Sequence, residues 1–284
     1  MQEGVRHDPA ATVWRCSTCD LVYGSPRPSG DELAHYYATT YRDEYGAVAP
    51  EELRRIGLDD AAARARRLTN YLQPTASILD VGAGVGTFLA AIAGRVGAAT
   101  GVEPDERSRA YIGDELGLPA VATLSELERG SEFDLITLFH VLEHVLDPAS
   151  FLRELAVLLR PGGALVIEVP NIDDALVSVY RSAVYRAFYF QKAHLYYFSA
   201  TTLARASAEA GLSGKVSFVQ RYGLRNHLHW LASGQPGGDA LYSDVVSESA
   251  DAAYRDSLVR SGRADTLWLV ANTTGSASAS ATNP

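Results

Sequence analysis

The chain has few cysteines, no long apolar run and a deficit of positive charge, and each shortage argues against a class of protein. Its two cysteines cannot form a disulfide framework. No apolar stretch approaches the ~20 residues that cross a bilayer. Lysine and arginine total 25 against 34 acidic residues, and the net charge of -9 argues against nucleic acid as the main partner. Because residues 1–6 also lack a signal-peptide pattern, we expect a cytoplasmic monomer or homodimer that acts on a small molecule and has no membrane partner.

Three regions separate along the chain. Residues 1–74 form a mixed N-terminal appendage with two polar helices, near 31–41 and 51–72. Residues 75–272 alternate strand and helix, which predicts a parallel sheet with helices on both faces. The tail, residues 273–284, is of low complexity and is predicted to be disordered. The predicted strands of the middle region cover residues 78–81, 100–103, 120–122, 135–139, 164–169, 215–220 and 266–271.

A glycine-rich turn follows the first predicted strand. Asp80 precedes three glycines at alternate positions, Gly82, Gly84 and Gly86. Glycine lets the backbone turn sharply against a ligand because it has no Cβ, and such turns hold nucleotide-like ligands in α/β sheets. A dinucleotide site reads G-x-G-x-x-G, whereas this loop reads D-x-G-x-G-x-G. The tighter pattern resembles the first motif of the class I methyltransferases, which bind S-adenosylmethionine (SAM).

Glu103 is the second element of the predicted cofactor site. It ends the second predicted strand, 17 residues past Gly86. A carboxylate at that place can accept hydrogen bonds from both hydroxyls of an adenosine ribose, and Asp80 could help to hold the amino acid end of SAM. NAD would also require an acid at Glu103, but the loop lacks the spacing for a pyrophosphate.

Later segments extend the resemblance to roughly residues 75–272. Residues 132–148, 158–168 and 192–199 follow the glycine loop in the order of the SAM-dependent methyltransferases of the UbiG-like, methyltransferase 23 type. This resemblance implies a Rossmann-like α/β fold with a seven-stranded, mostly parallel sheet and an antiparallel last strand. SAM would then lie over the carboxyl ends of the first and fourth strands. Phe139 and His140, at the end of the fourth strand, would line the cofactor pocket.

Three histidines, His140, His144 and His194, are the candidate general bases, because a neutral imidazole accepts a proton near pH 7. The first two lie in an H-x-x-E-H pattern also found in zinc peptidases. Peptidase ligands lie on a helix, whereas His140 follows a predicted strand, so that geometry is wrong. Some UbiG-like relatives hold a divalent ion here through an acid, Glu and His. In this chain His140 replaces the acid, which argues against a hard metal ion.

Two later segments supply the residues expected to contact the acceptor. Tyr196 and Tyr197 flank a candidate base in the loop after the fifth strand, which would face the acceptor in this fold. Asn226 and His227 lie in an insertion of about residues 225–262 between the last two strands. We interpret this insertion, together with the N-terminal helices, as a helical lid over the acceptor.

Cys16 and Cys19 form a C-x-x-C pair in the appendage. Relatives that resemble this chain begin with two such knuckles in a small zinc ribbon, and only the second knuckle is present here. Structural zinc requires four ligands, so His7 or another histidine would have to complete the set. We expect a metal-free remnant, with bound zinc as the alternative, since a redox role would need a thioredoxin-like context.

The sequence therefore predicts a SAM-dependent methyltransferase that acts on a small molecule, at a hydroxyl of a sugar or natural product. The cofactor would supply the activated methyl group, and a histidine would remove the hydroxyl proton. A carbon acceptor is an alternative, in which the same base would form an enolate. An enzyme of the same fold that binds SAM or a related ligand but catalyses cyclisation or elimination is another. A non-catalytic scaffold is the third, which the histidines near the cofactor end disfavour.

Overall fold

Two sheets organise the computed structural model, which describes residues 2–44 and 48–273. Residues 274–284 of the predicted tail lie outside the described part. The strands in chain order are β1 (Gln2–Val5), β2 (Asp8–Arg15), β3 (Val22–Ser25), β4 (Ser77–Val81), β5 (Ala98–Val102), β6 (Ala120–Val121), β7 (Phe133–Phe139), β8 (Leu159–Pro170), β9 (Tyr196–Tyr197), β10 (Leu212–Val219) and β11 (Thr266–Thr273).

The main sheet has seven strands in the order β10-β11-β8-β7-β4-β5-β6. All the strands predicted from the sequence are present in it. Strands β4 to β8 pair in parallel, whereas β11 runs antiparallel to both β8 and β10. The strand order reverses between β4 and β7, which is where ligands bind in open α/β sheets. The predicted fold class, a Rossmann-like sheet with an antiparallel last strand, is confirmed.

Helices cover both faces of this sheet and fill the connections between its strands. In chain order the α-helices are α1 (Gly30–His35), α2 (Tyr41–Glu44), α3 (Pro50–Ile56), α4 (Leu58–Arg67), α5 (Thr87–Ile92), α6 (Glu106–Asp114), α7 (Pro148–Val157), α8 (Ala175–Ser178), α9 (Ala183–Tyr189), α10 (Ala200–Glu209), α11 (Leu224–Ser233) and α12 (Glu248–Ser261). A π-helical turn, Tyr36–Thr40, joins α1 to α2. Because Gly57 lies between α3 and α4, the predicted helix near 51–72 is divided.

Strand alternation explains how both faces become buried, because successive side chains point to opposite sides of a sheet. On β4, Leu79 packs in the core cluster that holds Leu152 of α7 and Leu203 of α10. The preceding residue, Ile78, packs in the other cluster, which contains Phe88 of α5 and residues of α4. The sheet is therefore the middle layer of three, and its strand ends are left to form the site.

The N-terminal appendage contains a second, four-stranded sheet that was not predicted. Its order is β1-β2-β3-β9, and all of its pairs are antiparallel. The last strand, Tyr196–Tyr197, lies far along the chain and joins β3 through a two-residue register. Under this sheet, Val13, Val22 and Tyr197 pack with residues of the α8–α9 segment. The appendage is thereby fixed to the loop that carries His194.

Candidate functional site

A cavity of about 650 Å³ opens at the carboxyl ends of β4, β5 and β7. Its wall includes Gly82 and Gly84 of the glycine loop, Glu103 after β5, and Phe139 and His140 at the end of β7. Five residues of the predicted cofactor set therefore border one space. The N-terminal helical segment closes this space from the opposite side with two tyrosines, Tyr37 and Tyr41.

The glycine loop and Glu103 are joined by hydrogen bonds at the floor of this cavity. Gly84 N–H donates to Glu103 Oε2 at 2.7 Å, and Asp105 N–H donates to Glu103 Oε1 at 3.0 Å. Gly84 adopts a φ of 57°, a left-handed conformation that favours glycine. The carboxylate is buried to 6% exposure. Both carboxylate oxygens are thus positioned by backbone, and a carboxylate oxygen can accept more than one hydrogen bond. This fits an adenosine ribose, as the resemblance implied.

Gly86 and Asp80, the other two glycine-loop residues of the predicted cofactor set, make structural contacts at the turn. Neither is part of the cavity wall. Gly86 precedes α5 with a φ of 71°, and a Cβ there would lie 2.9 Å from a side-chain carbon of Ile112. Asp80 Oδ1 accepts a hydrogen bond from Thr137 Oγ1 at 2.7 Å, and burial raises the pKa of Asp80 to about 7. These contacts show how the two residues support the turn, and their predicted role in holding the cofactor stays a prediction.

Gly82→Ala should destabilise the fold by about 1–3 kcal/mol, the usual cost of a strained φ or an overpacked site. Gly82 has a φ of 72°, and an added Cβ would lie 2.4 Å from Val141 Cγ2. Urea denaturation of the full chain measures the change. Gly113→Ala is the matched control, because a Cβ at this residue of α6 meets nothing within 4 Å. Equal stability of the two variants would show that the loop does not need this backbone conformation.

A second cavity of about 410 Å³ lies beside the first. Three residues border both spaces: Tyr41, His140 and His144. The second cavity also contains His194, and two residues of α11 that were predicted to contact the acceptor, Asn226 and His227, line it as well. Aromatic side chains form much of the remaining wall: Tyr185, Phe188, Tyr189, Tyr222 and Trp230.

Tyr196 and Tyr197 line neither of these two cavities, and their predicted contact with the acceptor stays a prediction. Both are buried on β9. Tyr196 O–H donates to the Leu146 carbonyl at 2.8 Å, and Tyr197 O–H donates to the Gln191 carbonyl at 3.2 Å. Their hydroxyls therefore position the chain around His194, because a buried tyrosine hydroxyl needs a local partner.

His140 lies between two carboxylates, and Arg221 Nη1 also approaches its Nε2, at 3.2 Å. Its Nδ1 lies 3.3 Å from Glu143 Oε1, and its Nε2 lies 3.2 Å from Glu168 Oε1. Although burial opposes the charge, these two carboxylates raise the pKa of His140. Arg64 and Arg221 complete the network around Glu168. The φ of His140 is 58°, an uncommon conformation outside glycine that is often found at functional sites.

His144 and His194 are the neutral rings of the site. Burial lowers the pKa of His144 and lowers that of His194 well below the usual value. His144 Nδ1 lies 2.8 Å from the Ala193 carbonyl oxygen and 2.7 Å from Tyr37 Oη. Because a carbonyl only accepts, Nδ1 carries the proton and Nε2 retains its lone pair. Among the three histidines, His144 is thus the ring that borders both cavities and has a basic nitrogen available.

Glu143, the Glu of the H-x-x-E-H pattern, lies behind these rings. It is buried to 1% exposure. Nearby His140 and His144 hold the pKa of Glu143 at about 2, against the effect of burial. Its carboxylate and ring nitrogens of His144 and His194 lie within 4.8 Å of one another, a spacing that a metal ion could share. His140 Nδ1 and Nε2 both face carboxylates, so the acid, Glu and His set of metal-binding relatives is not reproduced, and we derive no step through a metal.

Cys16 and Cys19 lie on the turn between β2 and β3, and both are free thiols. Backbone N–H groups of Thr18 and Cys19 lower the pKa of the Cys16 thiol. Within residues 2–44 and 48–273, neither cysteine belongs to a group of three or more residues that could share a metal ion. The described residues, His7 included, therefore offer zinc no third ligand at this turn.

Comparison with known families identifies the class that this fold and its paired cavities represent. A family model of the methyltransferase 23 family, described as a methyltransferase domain, matches residues 52–214. The chain belongs to this family, and it carries a class I SAM-dependent methyltransferase domain whose cofactor is SAM. Among the described residues, no helix combines the length and apolarity that a membrane span needs.

Individual relatives match the chain over part of their length. It is 35% identical over 112 residues to a ubiquinone biosynthesis O-methyltransferase of Aeromonas salmonicida, covering 33% of this chain and 43% of that protein. It is 31% identical over 182 residues to a 37.1 kDa transposon protein of Streptomyces fradiae, covering 57% of this chain and 52% of that protein. The chain thus spans about half the length of the curated relatives it matches.

Solved structures share the fold at low sequence identity. A SAM-dependent methyltransferase from Archaeoglobus fulgidus superposes with a TM-score of 0.53 at 22% identity, covering 78% of this chain and 96% of that chain. The magnesium protoporphyrin IX methyltransferase of Synechocystis, solved with bound S-adenosylhomocysteine, has a TM-score of 0.54 at 14% identity, covering 87% of this chain and all of that chain. These likenesses support the fold.

Proposed function

We propose that the chain transfers the methyl group of SAM to a hydroxyl of a small-molecule acceptor of the sugar or natural-product class. The observation that carries this proposal is the shared wall of the two cavities. Tyr41, His140 and His144 border both, so a cofactor in the larger cavity and an acceptor in the smaller one would meet at these side chains. Aromatic faces interspersed with polar groups in the smaller cavity suit a hydroxylated ring.

His144 would be the general base of this reaction. Bound SAM supplies a sulfonium methyl that needs no further activation. His144 Nε2 would accept the hydroxyl proton as the acceptor oxygen bonds to the methyl carbon, whose bond to sulfur breaks and leaves S-adenosylhomocysteine. Ala193 and Tyr37 hold the ring by its Nδ1–H, and the Glu143 carboxylate stabilises the imidazolium that forms. Tyr41 and the helices around Asn226 would exclude water from the two bound ligands.

The pH dependence of kcat is expected to show one acid limb, below about pH 6.5. Burial lowers the pKa of His144 from its ordinary 6.5. The neutral ring is the active form, so kcat is full above this pKa and falls as the pH drops through it. A pH–rate profile between about pH 5 and 8 checks the prediction. Circular dichroism at each pH separates this fall from unfolding, and an acid limb centred above pH 7 would contradict the assignment.

A further inference from the structure

Arg6, which follows β1, lies in the wall of the smaller cavity, and hydrogen bonds hold its backbone in place. Its N–H donates to the Phe190 carbonyl, and its carbonyl accepts from the Lys192 N–H, both at 2.9 Å. These bonds form a parallel bridge with Gln191. The guanidinium carbon lies 4.4 Å from the centre of the Phe188 ring. The backbone contacts place the side chain in the cavity wall and do not depend on the bonds that the guanidinium makes.

The Arg6 side chain fixes the orientation of the Gln191 amide. A guanidinium only donates hydrogen bonds, so the atom that Arg6 Nη2 contacts is the carbonyl oxygen Oε1. The amide nitrogen of Gln191 consequently faces His194 Nε2 at 2.5 Å. Because the amide NH₂ group also only donates, His194 must accept at Nε2 with a lone pair. The neutral ring then carries its proton on Nδ1, a buried atom for which the described residues provide no hydrogen-bond partner.

This contact disfavours the other two states of His194, although Glu143 Oε1, 4.0 Å from Nε2, would favour an N–H there. An Nε2–H tautomer and an imidazolium would each place a donor against the donor of Gln191. His194 lies next to His144, with ring centres 4.9 Å apart. A second imidazolium at His194 would repel the charge that forms on His144 during proton transfer. A neutral His194 leaves that charge facing the carboxylate of Glu143.

We propose that Arg6 is a positioning residue that acts through Gln191 to hold His194 in its Nδ1–H form, which reserves His144 as the ring that accepts the proton. This inference rests on the proposed function, because it states how that site selects its base. It also makes the N-terminal sheet part of the active site, since Arg6 follows β1 and His194 precedes β9 in the same sheet.

Gln191→Glu tests the proposal. Glutamate has the shape of glutamine and can still accept from Arg6, but it would accept a hydrogen bond from His194 where glutamine donates one. A carboxylate accepts, so His194 would move its proton to Nε2. Two-bond ¹H–¹⁵N correlation spectra of the full chain, labelled at its 7 histidines, report the tautomer of each ring. His194→Gln assigns the signal. We expect Nδ1–H in the wild type, Nε2–H in Gln191→Glu, and a kcat about 10- to 100-fold lower in the variant.

Arg6→Met provides a second variant, and Arg15→Met provides the matched control. Arg6→Met frees the Gln191 amide and is expected to give mixed tautomers with a smaller fall in kcat. Arg15 is in β2 of the same sheet, and its side chain is 49% exposed. Its replacement should change neither the tautomer of His194 nor kcat. Calorimetry with SAM on each variant shows whether the cofactor site is intact.

Three results would overturn the inference. They are a wild-type His194 with its proton on Nε2, an unchanged tautomer in Gln191→Glu, and a changed tautomer with unchanged kcat. The proposed function fails differently, through absence of SAM binding or of methyl transfer by the wild type. The spectra do not depend on activity, so the two failures are distinguishable.

Discussion

His144→Asn is expected to lower kcat about 10²- to 10⁴-fold, the contribution of a positioned general base, and to leave the affinity for SAM unchanged. Asparagine has no basic nitrogen, although its amide can still donate to the Ala193 carbonyl as His144 Nδ1 does. The loss should appear in the chemical step, because the ring borders the junction of the two cavities. Single-turnover methyl transfer and calorimetric titration with SAM measure the two quantities separately.

His35→Asn is the matched control for this variant. His35 is exposed at the end of α1 and lines neither cavity of the proposed site. A His144→Asn enzyme that retains its kcat would remove His144 from the chemistry. Activity that a chelator abolishes and zinc restores would also contradict a histidine base, because the metal would then activate the acceptor.

Glu103→Gln should weaken the binding of SAM and of S-adenosylhomocysteine about 10- to 100-fold. A hydrogen bond to a charged group contributes about 1.5–3 kcal/mol, and each 1.4 kcal/mol corresponds to about tenfold in Kd. The variant removes the charge that would accept from the ribose hydroxyls. It also places an amide NH₂ against the N–H of Gly84 or Asp105, which loosens the loop. Calorimetry gives the change in Kd.

Glu106→Gln is the control for the loss of a negative charge near this site, because Glu106 is exposed in the first turn of α6. Thermal denaturation of both variants without ligand shows how much of the effect is structural. If Glu103→Gln binds SAM as tightly as the wild type, the ribose is not held at Glu103.

The main sheet could be predicted because its signals are local. The central parallel strands are buried on both faces and therefore appear as short apolar runs, as at 78–81 and 135–139. The glycine loop could also be predicted from the sequence, because Gly82 and Gly84 have positive φ values that most other residues rarely adopt. Glu103 followed from its place at the next strand end, where the sheet's topology brings it to the loop.

The N-terminal sheet could not be predicted because its partners are distant in sequence. Strand β3 pairs with Tyr196–Tyr197, and β2 shows only two buried residues in eight. Tyr196 and Tyr197 were interpreted as acceptor contacts for the same reason. Tyrosines beside a histidine are consistent with either role until the strand that covers them is known.

Long-range contacts around the candidate bases could not be predicted from the sequence. Tyr37 meets His144, and Arg6 meets Gln191 beside His194, only in the folded chain. A signal for Glu143 did exist, because it lies between two of the candidate histidines. Its burial and its charge depend on tertiary packing, in which the pKa of His140 is raised and that of His144 is lowered.

Calorimetric titration of the wild-type chain with SAM, S-adenosylhomocysteine and NAD⁺ tests the central claim most directly. We expect one site that binds SAM and S-adenosylhomocysteine with a Kd of about 1–100 μM, in the usual range of enzyme–substrate affinities, and no binding of NAD⁺. This result would show a SAM site, and weaker binding by Glu103→Gln would place it in the cavity that Gly84 and Glu103 border. A folded chain that binds neither SAM nor S-adenosylhomocysteine would contradict the account.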